Sequence, residues 1–167
     1  MIATEPRVRY TQVDTVVGPL WIGYDAAGIC LSLLRTSEVE FVERCRTELG
    51  RDAARDSLPS SDLVARVQAR LDGGASPPYN LDGLTGFQRA VLEAVAAIPR
   101  GQVRSYGQIA EQVGHPGAAR AVGEVMRTNP IPVLIPCHRV VRADGSVGRY
   151  TPDPALKRRL LEEEGSL

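Results

Sequence analysis

The chain has 167 residues, 43% hydrophobic and 24% charged, with a formal net charge of zero. That size fits one compact domain or two small lobes, and the composition excludes wholesale disorder. No apolar run approaches the roughly 20 residues of a membrane span, and the amino terminus lacks a basic segment followed by an apolar one, so a cytoplasmic protein with no membrane partner is expected.

Cys30, Cys45 and Cys137 are an odd set of thiols without CxxC spacing, which suggests neither a disulfide framework nor a thiolate zinc site. At least one thiol stays free. Charge is unevenly spread: residues 1–83 carry nine arginines against twelve carboxylates, and residues 84–167 carry eleven basic side chains against eight. A mildly basic second half is compatible with a phosphate-binding face and equally with an ordinary surface.

Residues 7–35 alternate apolar and polar in short runs, "VRYTQV", "GPLWIGY" and "GICLSLL", which reads as antiparallel strands joined by hairpins. "SEVEFVERCRTEL" follows as a helix, with Ser37 and Glu40 forming a capping box and Val42, Cys45 and Leu49 at helical spacing. Cys45 on that apolar face reads as a small core residue. "DLVARVQARL" is a second short helix, and "GGASPPYN" at 73–80 breaks the chain. The lobe boundary is placed there, giving an amino-terminal sheet lobe, 1–80, and a carboxy-terminal lobe, 81–167.

The second lobe reads as mainly helical, so the fold class expected is α+β. "TGFQRAVLEAVAAI" has Thr85 and Gln88 as a capping box, ends before Pro99, and turns Phe87, Val91, Val95 and Ile98 inward. "SYGQIAEQVG" repeats the signal with Ser105 and Gln108, and "HPGAARAVGEVMRTNP" gives a further helix ended by Asn129-Pro130. Two short helices across a tight Gly/Pro turn make a helix-turn-helix candidate, although most such pairs merely pack. "IPVLIPCHRVV", with Pro132 and Pro136, reads as an extended run entering a buried site. Asp153 and Pro154 then open a last helix as N-cap and first residue, buried through Leu156, Leu160 and Leu161.

Cys137 stands beside His138 in this extended run. A thiol with an ordinary pKa of about 8.5 is a poor nucleophile at neutral pH unless a base or positive field lies near it. His138 is the obvious base, but neighbours on a strand point to opposite faces, so contact requires a backbone turn or a bridging water. The base needs an orienting partner, for which Glu162, Glu163 and Glu164 are candidates. The alternatives are an inert buried thiol and a solvated acidic helix end.

"PCHRVV", "SYGQIA", "GAARAVG" and "NPIPVLIPCHR" together resemble the O6-alkylguanine-DNA alkyltransferases, in register from about Leu84 to Gly165 and more weakly over 7–80. The resemblance implies an enzyme that binds double-stranded DNA through the minor groove, flips an O6-alkylguanine and moves the alkyl group to a buried cysteine once, with O4-alkylthymine as a further substrate. It implies Cys137 as acceptor, His138 as the base acting through water, Glu164 as its orienting carboxylate, Asn129 as the brace of the preceding turn and Tyr106 as proton donor to the departing guanine. Arg120 is the implied finger that fills the gap in the stack. Gly117, Ala118, Ala119 and Ala121 permit groove entry, Arg127 supports it, and Met126, Pro132, Val140, Tyr150 and Thr151 line the substrate pocket. No cofactor or metal and a monomer are expected. Two rival readings are a non-catalytic lesion-binding relative, which would usually lack the acceptor cysteine, and a DNA-binding regulator with an idle thiol. The chain departs from the family at Thr151-Pro152-Asp153, where a small residue and a glycine pair are usual; Pro152 offers no N–H, and a stiffer loop is expected.

Overall fold

The computed structural model describes residues 7–150 and 153–167. The chain divides into two compact units, Met1–Leu81 and Asp82–Leu167, and its class is α+β. Among the described residues no helix is long and apolar enough to cross a membrane.

In the first unit, strands β1 (Val8–Thr15), β2 (Gly18–Asp25) and β3 (Gly28–Leu34) pair as an antiparallel meander. Along β1, Val8 and Tyr10 are buried on one face and Thr11 and Val13 on the other, while Arg9, Gln12 and Asp14 are exposed. Helix α1 (Glu38–Leu49) starts at the capping box of Ser37 and Glu40 and lays Phe41 and Cys45 on the sheet. Tyr10, Trp21 and Phe41 form a tilted aromatic cluster with ring centroids 5.5–6.1 Å apart, joined by Cys30 and Leu31. Burial raises the Cys30 and Cys45 thiols to about 11 and 12, so both are inert core groups.

A short strand, β4 (Ala53–Arg55), pairs in parallel with β1 and completes the order β3-β2-β1-β4. Three residues with one alanine pair carry no period, so the sequence did not announce it. Helix α2 (Ser61–Leu71) follows, capped by Ser60.

The second unit begins with α3 (Gly86–Ala96), whose box is Thr85 and Gln88 and which buries Val91 and Val95 beside Ile98; Phe87 is half-buried. Strand β5 (Arg104–Ser105) runs into α4 (Tyr106–Gln112), capped by Ser105 and Gln108. Gly114 and Gly117, at φ 82° and 88°, turn the chain into α5 (Ala119–Arg127). This helix starts later than its sequence suggests: Gly117 lies in the turn and Ala118 is the N-cap, because Gly117 takes a left-handed conformation that a helix does not use. Strand β6 (Val140–Val141) pairs in parallel with β5, and α6 (Pro154–Glu163) closes the chain with Asp153 as N-cap and Leu156, Leu160 and Leu161 buried.

Gly28 sits at φ 136°, and a Cβ there would meet the Pro78 carbonyl oxygen at 2.5 Å. That carbonyl is fixed by the Ile29 N–H at 2.9 Å. Replacing Gly28 by Ala is therefore expected to cost about 2–3 kcal/mol, read as a lower midpoint in urea unfolding with an unchanged slope.

Candidate active site

The loop between α5 and β6 positions the Cys137 thiol. Asn129 Oδ1 accepts from the Ile131 N–H at 2.9 Å, its Nδ2 donates to the Ile135 carbonyl at 3.0 Å, and the Ile135 N–H donates to the Ile131 carbonyl at 2.9 Å. One side chain thus closes a turn whose prolines withhold backbone donors. Val133 takes φ 72° within it, an uncommon value for a β-branched residue.

Cys137–Arg139 then form a single turn of 3-10 helix, with the Arg139 N–H donating to the Pro136 carbonyl at 2.9 Å. This corrects the extended run read from the sequence. Three prolines exclude an α-helix, but a one-turn helix capped by Pro136 needs no donor from them. Successive side chains are about 120° apart rather than opposed, which removes the objection that a strand would raise to Cys137 and His138 acting together.

His138 and Arg139 are buried, at 1% and 4% exposure, and both reach Glu164, the C-cap of α6. His138 Nε2 lies 2.9 Å from Glu164 Oε1; Arg139 donates through Nε to Oε2 at 2.9 Å and through Nη2 to Oε1 at 2.8 Å, and its Nη1 donates to the Ile98 carbonyl at 2.7 Å. Burial alone would raise Glu164, but the hydrogen bonds and charges of His138 and Arg139 overcome it and hold the carboxyl at about 2. Burial lowers His138, against the opposing pull of Glu164, so the imidazole is neutral. An ionised Glu164 accepts only, so Nε2 carries the proton and Nδ1 keeps its lone pair. Nδ1 is buried without a hydrogen-bond partner among the described residues.

Cys137 is 5% exposed, and burial raises its thiol. Asn129, Lys157 and Tyr150 pull the other way, Asn129 and Tyr150 by hydrogen bonding to the sulfur and Lys157 by its charge. The Lys157 side chain is buried, donating to the Val140 carbonyl at 2.6 Å and the Arg149 carbonyl at 3.4 Å, with Nζ 5.8 Å from the Tyr106 ring centroid. Burial lowers this ammonium to about 8, with Cys137 opposing and Arg142 adding to the effect. Burial raises Tyr106, as does the nearby sulfur, keeping its phenol protonated.

Asn129, Tyr106, Cys137, His138, Glu164 and Tyr150 thus converge. Val140 is fully buried and faces Lys157 through its carbonyl, while Met126 and Pro132 are half-buried. Arg120, Ala121 and Arg127 are exposed on α5, Arg127 in an ion pair with Glu124 at 2.9 Å, and Ala119 is half-buried. Thr151 lies outside the described residues. Two buried cations at the site carry no assignment from the sequence. Arg139 was visible only as a neighbour of His138, whereas Lys157 left a signal: it shares the helical face of Leu156, Leu160 and Leu161.

The 6-O-methylguanine DNA methyltransferase DNA-binding domain matches residues 86–166. The methylated-DNA–protein-cysteine methyltransferase of Mycobacterium tuberculosis is 39% identical over 159 residues, 95% of this chain and 93% of its own length. The chain belongs to this methyltransferase family. Its Shigella flexneri member is 35% identical across 96% of this chain and 98% of its own. The crystal structure of Mycobacterium tuberculosis OGT in complex with DNA superposes with a TM-score of 0.76 at 35% identity, covering 95% of this chain and 94% of that one.

Two outcomes are expected. Glu164 lowered from 4.5 to about 2 contributes stability that is complete above pH 4.5 and lost as pH falls toward 2. Glu164→Gln, which leaves Arg139 uncompensated, should therefore cost about 3–5 kcal/mol at neutral pH and flatten the acid limb of a urea-midpoint series. Lys157→Met should slow single-turnover alkyl transfer by roughly 10–100-fold, because the segment carrying Tyr150 loses its tie to Val140.

Proposed function

We propose that the chain repairs DNA by direct reversal, transferring the alkyl group of O6-alkylguanine in duplex DNA to Cys137. The observation that carries this reading is a buried thiol beside a neutral histidine whose tautomer is set by an arginine-compensated carboxylate. The second unit is the DNA-binding and acceptor domain, with α5 entering the minor groove and Arg120 filling the place of the flipped base. Extrusion is required because a base inside the stack offers no in-line path to sulfur, at a cost of a few kcal/mol.

In the transfer, His138 Nδ1 takes the Cys137 proton through a water molecule, and the thiolate attacks the alkyl carbon. The C–S bond forms as the C–O6 bond breaks, and Tyr106 gives its proton to the departing guanine. A positioned acid contributes about 10²–10⁴-fold to such a step. Asn129, Tyr150 and Lys157 stabilise the sulfur anion while it exists. The thioether presents no good leaving group, so each molecule acts once and needs no cofactor. A monomer acting in the cytoplasm fits the same reading.

Intact-mass spectrometry after incubation with duplex DNA containing O6-methylguanine tests this. The native protein should gain one methylene's mass and stop there, and Cys137→Ala should gain none. Tight lesion binding with no mass gain would instead favour a non-catalytic lesion reader.

A further inference from the structure

Arg142, in the turn that follows β6, has no part in the chemistry above. Its backbone is fixed by its N–H donating to the Ser146 carbonyl at 3.0 Å and its carbonyl accepting from the Gly145 N–H at 2.9 Å. Asp144 Oδ1 accepts from the Ser146 N–H at 2.9 Å and braces the same turn. The chain then returns through Gly148, at φ 75°, which packs against the arginine stem. A methyl group on Gly148 would lie 3.4 Å from Arg142 Cγ, 3.6 Å from its Nε and 3.5 Å from the Tyr106 hydroxyl oxygen. Arg142 and the phenol that serves the leaving guanine therefore converge on one point beside Gly148.

The surrounding charges leave the guanidinium available. Arg139 is held by Glu164, Arg127 by Glu124, and Arg104 by Gln102 and the Val103 carbonyl. Arg142 is exposed and makes no hydrogen bond or ion pair through its side chain among the described residues; Asp144 feels its charge but spends an oxygen on Ser146. Inward lie Tyr106, Cys137 and the Lys157 ammonium. A Cys137 thiolate balances Lys157, and exposed Asp144 offsets Arg142 only in part without pairing with it, so its guanidinium stays planar, hydrogen-bond-free among the described residues and suited to two-point binding of a phosphate. A nucleotide flipped toward Cys137 brings one such anion on each side, whatever its base.

We propose that Arg142 binds a phosphodiester flanking the flipped guanine and so positions the DNA backbone beside Tyr106. This rests on the alkyltransferase reading. It is a positioning role, since Arg142 touches none of the reacting atoms.

The test is a cycle of protein and DNA changes. Duplexes carrying O6-methylguanine are made with a neutral methylphosphonate at the linkage 5′ or 3′ to the lesion, and equilibrium binding and single-turnover transfer are measured for the native protein, Arg142→Ala and Arg142→Lys, with thermal melts to establish folding. For the native protein, one of the two neutral linkages should weaken binding about 10-fold. Arg142→Ala should weaken it similarly on unmodified DNA, show no further loss with that linkage, and lower the log–log salt slope by about 0.9. Arg142→Lys should restore most of the slope. A folded Arg142→Ala that loses as much as the native protein at both neutral linkages overturns the assignment. Native protein that binds but transfers no methyl would overturn the transfer reading alone, because the binding cycle still reports on Arg142.

Discussion

One carboxylate, Glu164, holds the site in shape. Its two oxygens accept three hydrogen bonds from consecutive residues of the reactive turn, and Arg139 extends the connection to the end of α3 through the Ile98 carbonyl. Three segments far apart in sequence are thereby tied together around a single ionised group. The electrostatic consequence is as important as the mechanical one. A lone buried carboxylate beside His138 would favour the imidazolium, whereas the guanidinium compensates Glu164 and lets desolvation keep the ring neutral. Orientation comes without permanent protonation, which is what a base requires.

The resting thiol is kept quiet by the same burial. At 5% exposure the Cys137 sulfur is raised above its ordinary range, so the site does not hold a standing thiolate open to adventitious electrophiles. Asn129, Tyr150 and Lys157 form a shell whose value appears when the proton leaves. The arrangement suits a protein that can react only once, because an early mistake could not be undone.

The sequence disclosed the elements with local signatures. Ser37 with Glu40, Thr85 with Gln88 and Ser105 with Gln108 placed three helix starts, and alternation placed β1 to β3. The resemblance pointed to Cys137, His138, Asn129 and Tyr106, and to Glu164 among three neighbouring glutamates, and the structure brings these five side chains together. Spacing could not have made that choice, because it depends on which carboxylate of a helix end faces a distant turn. The 3-10 turn was hidden by its prolines, which argue against α-helix and say little about a single tight turn. Arg139 was hidden because burial of a guanidinium is decided by partners 25 and 41 residues away. Lys157 could have been found, had its place on an apolar helix face outweighed the habit of reading lysine as surface.

The capping boxes carry a meaning for the order of assembly. Each is complete within four consecutive residues, so α1, α3 and α4 can nucleate before the chain has closed any long loop. Every bond that shapes the acceptor site through Glu164 spans 25 residues or more and must await closure of the whole second unit. Reactivity is accordingly among the last properties the nascent protein acquires. An incompletely folded chain holds the cysteine without the Glu164 contacts that shape its surroundings, and alkyl acceptance therefore counts finished molecules rather than synthesised ones.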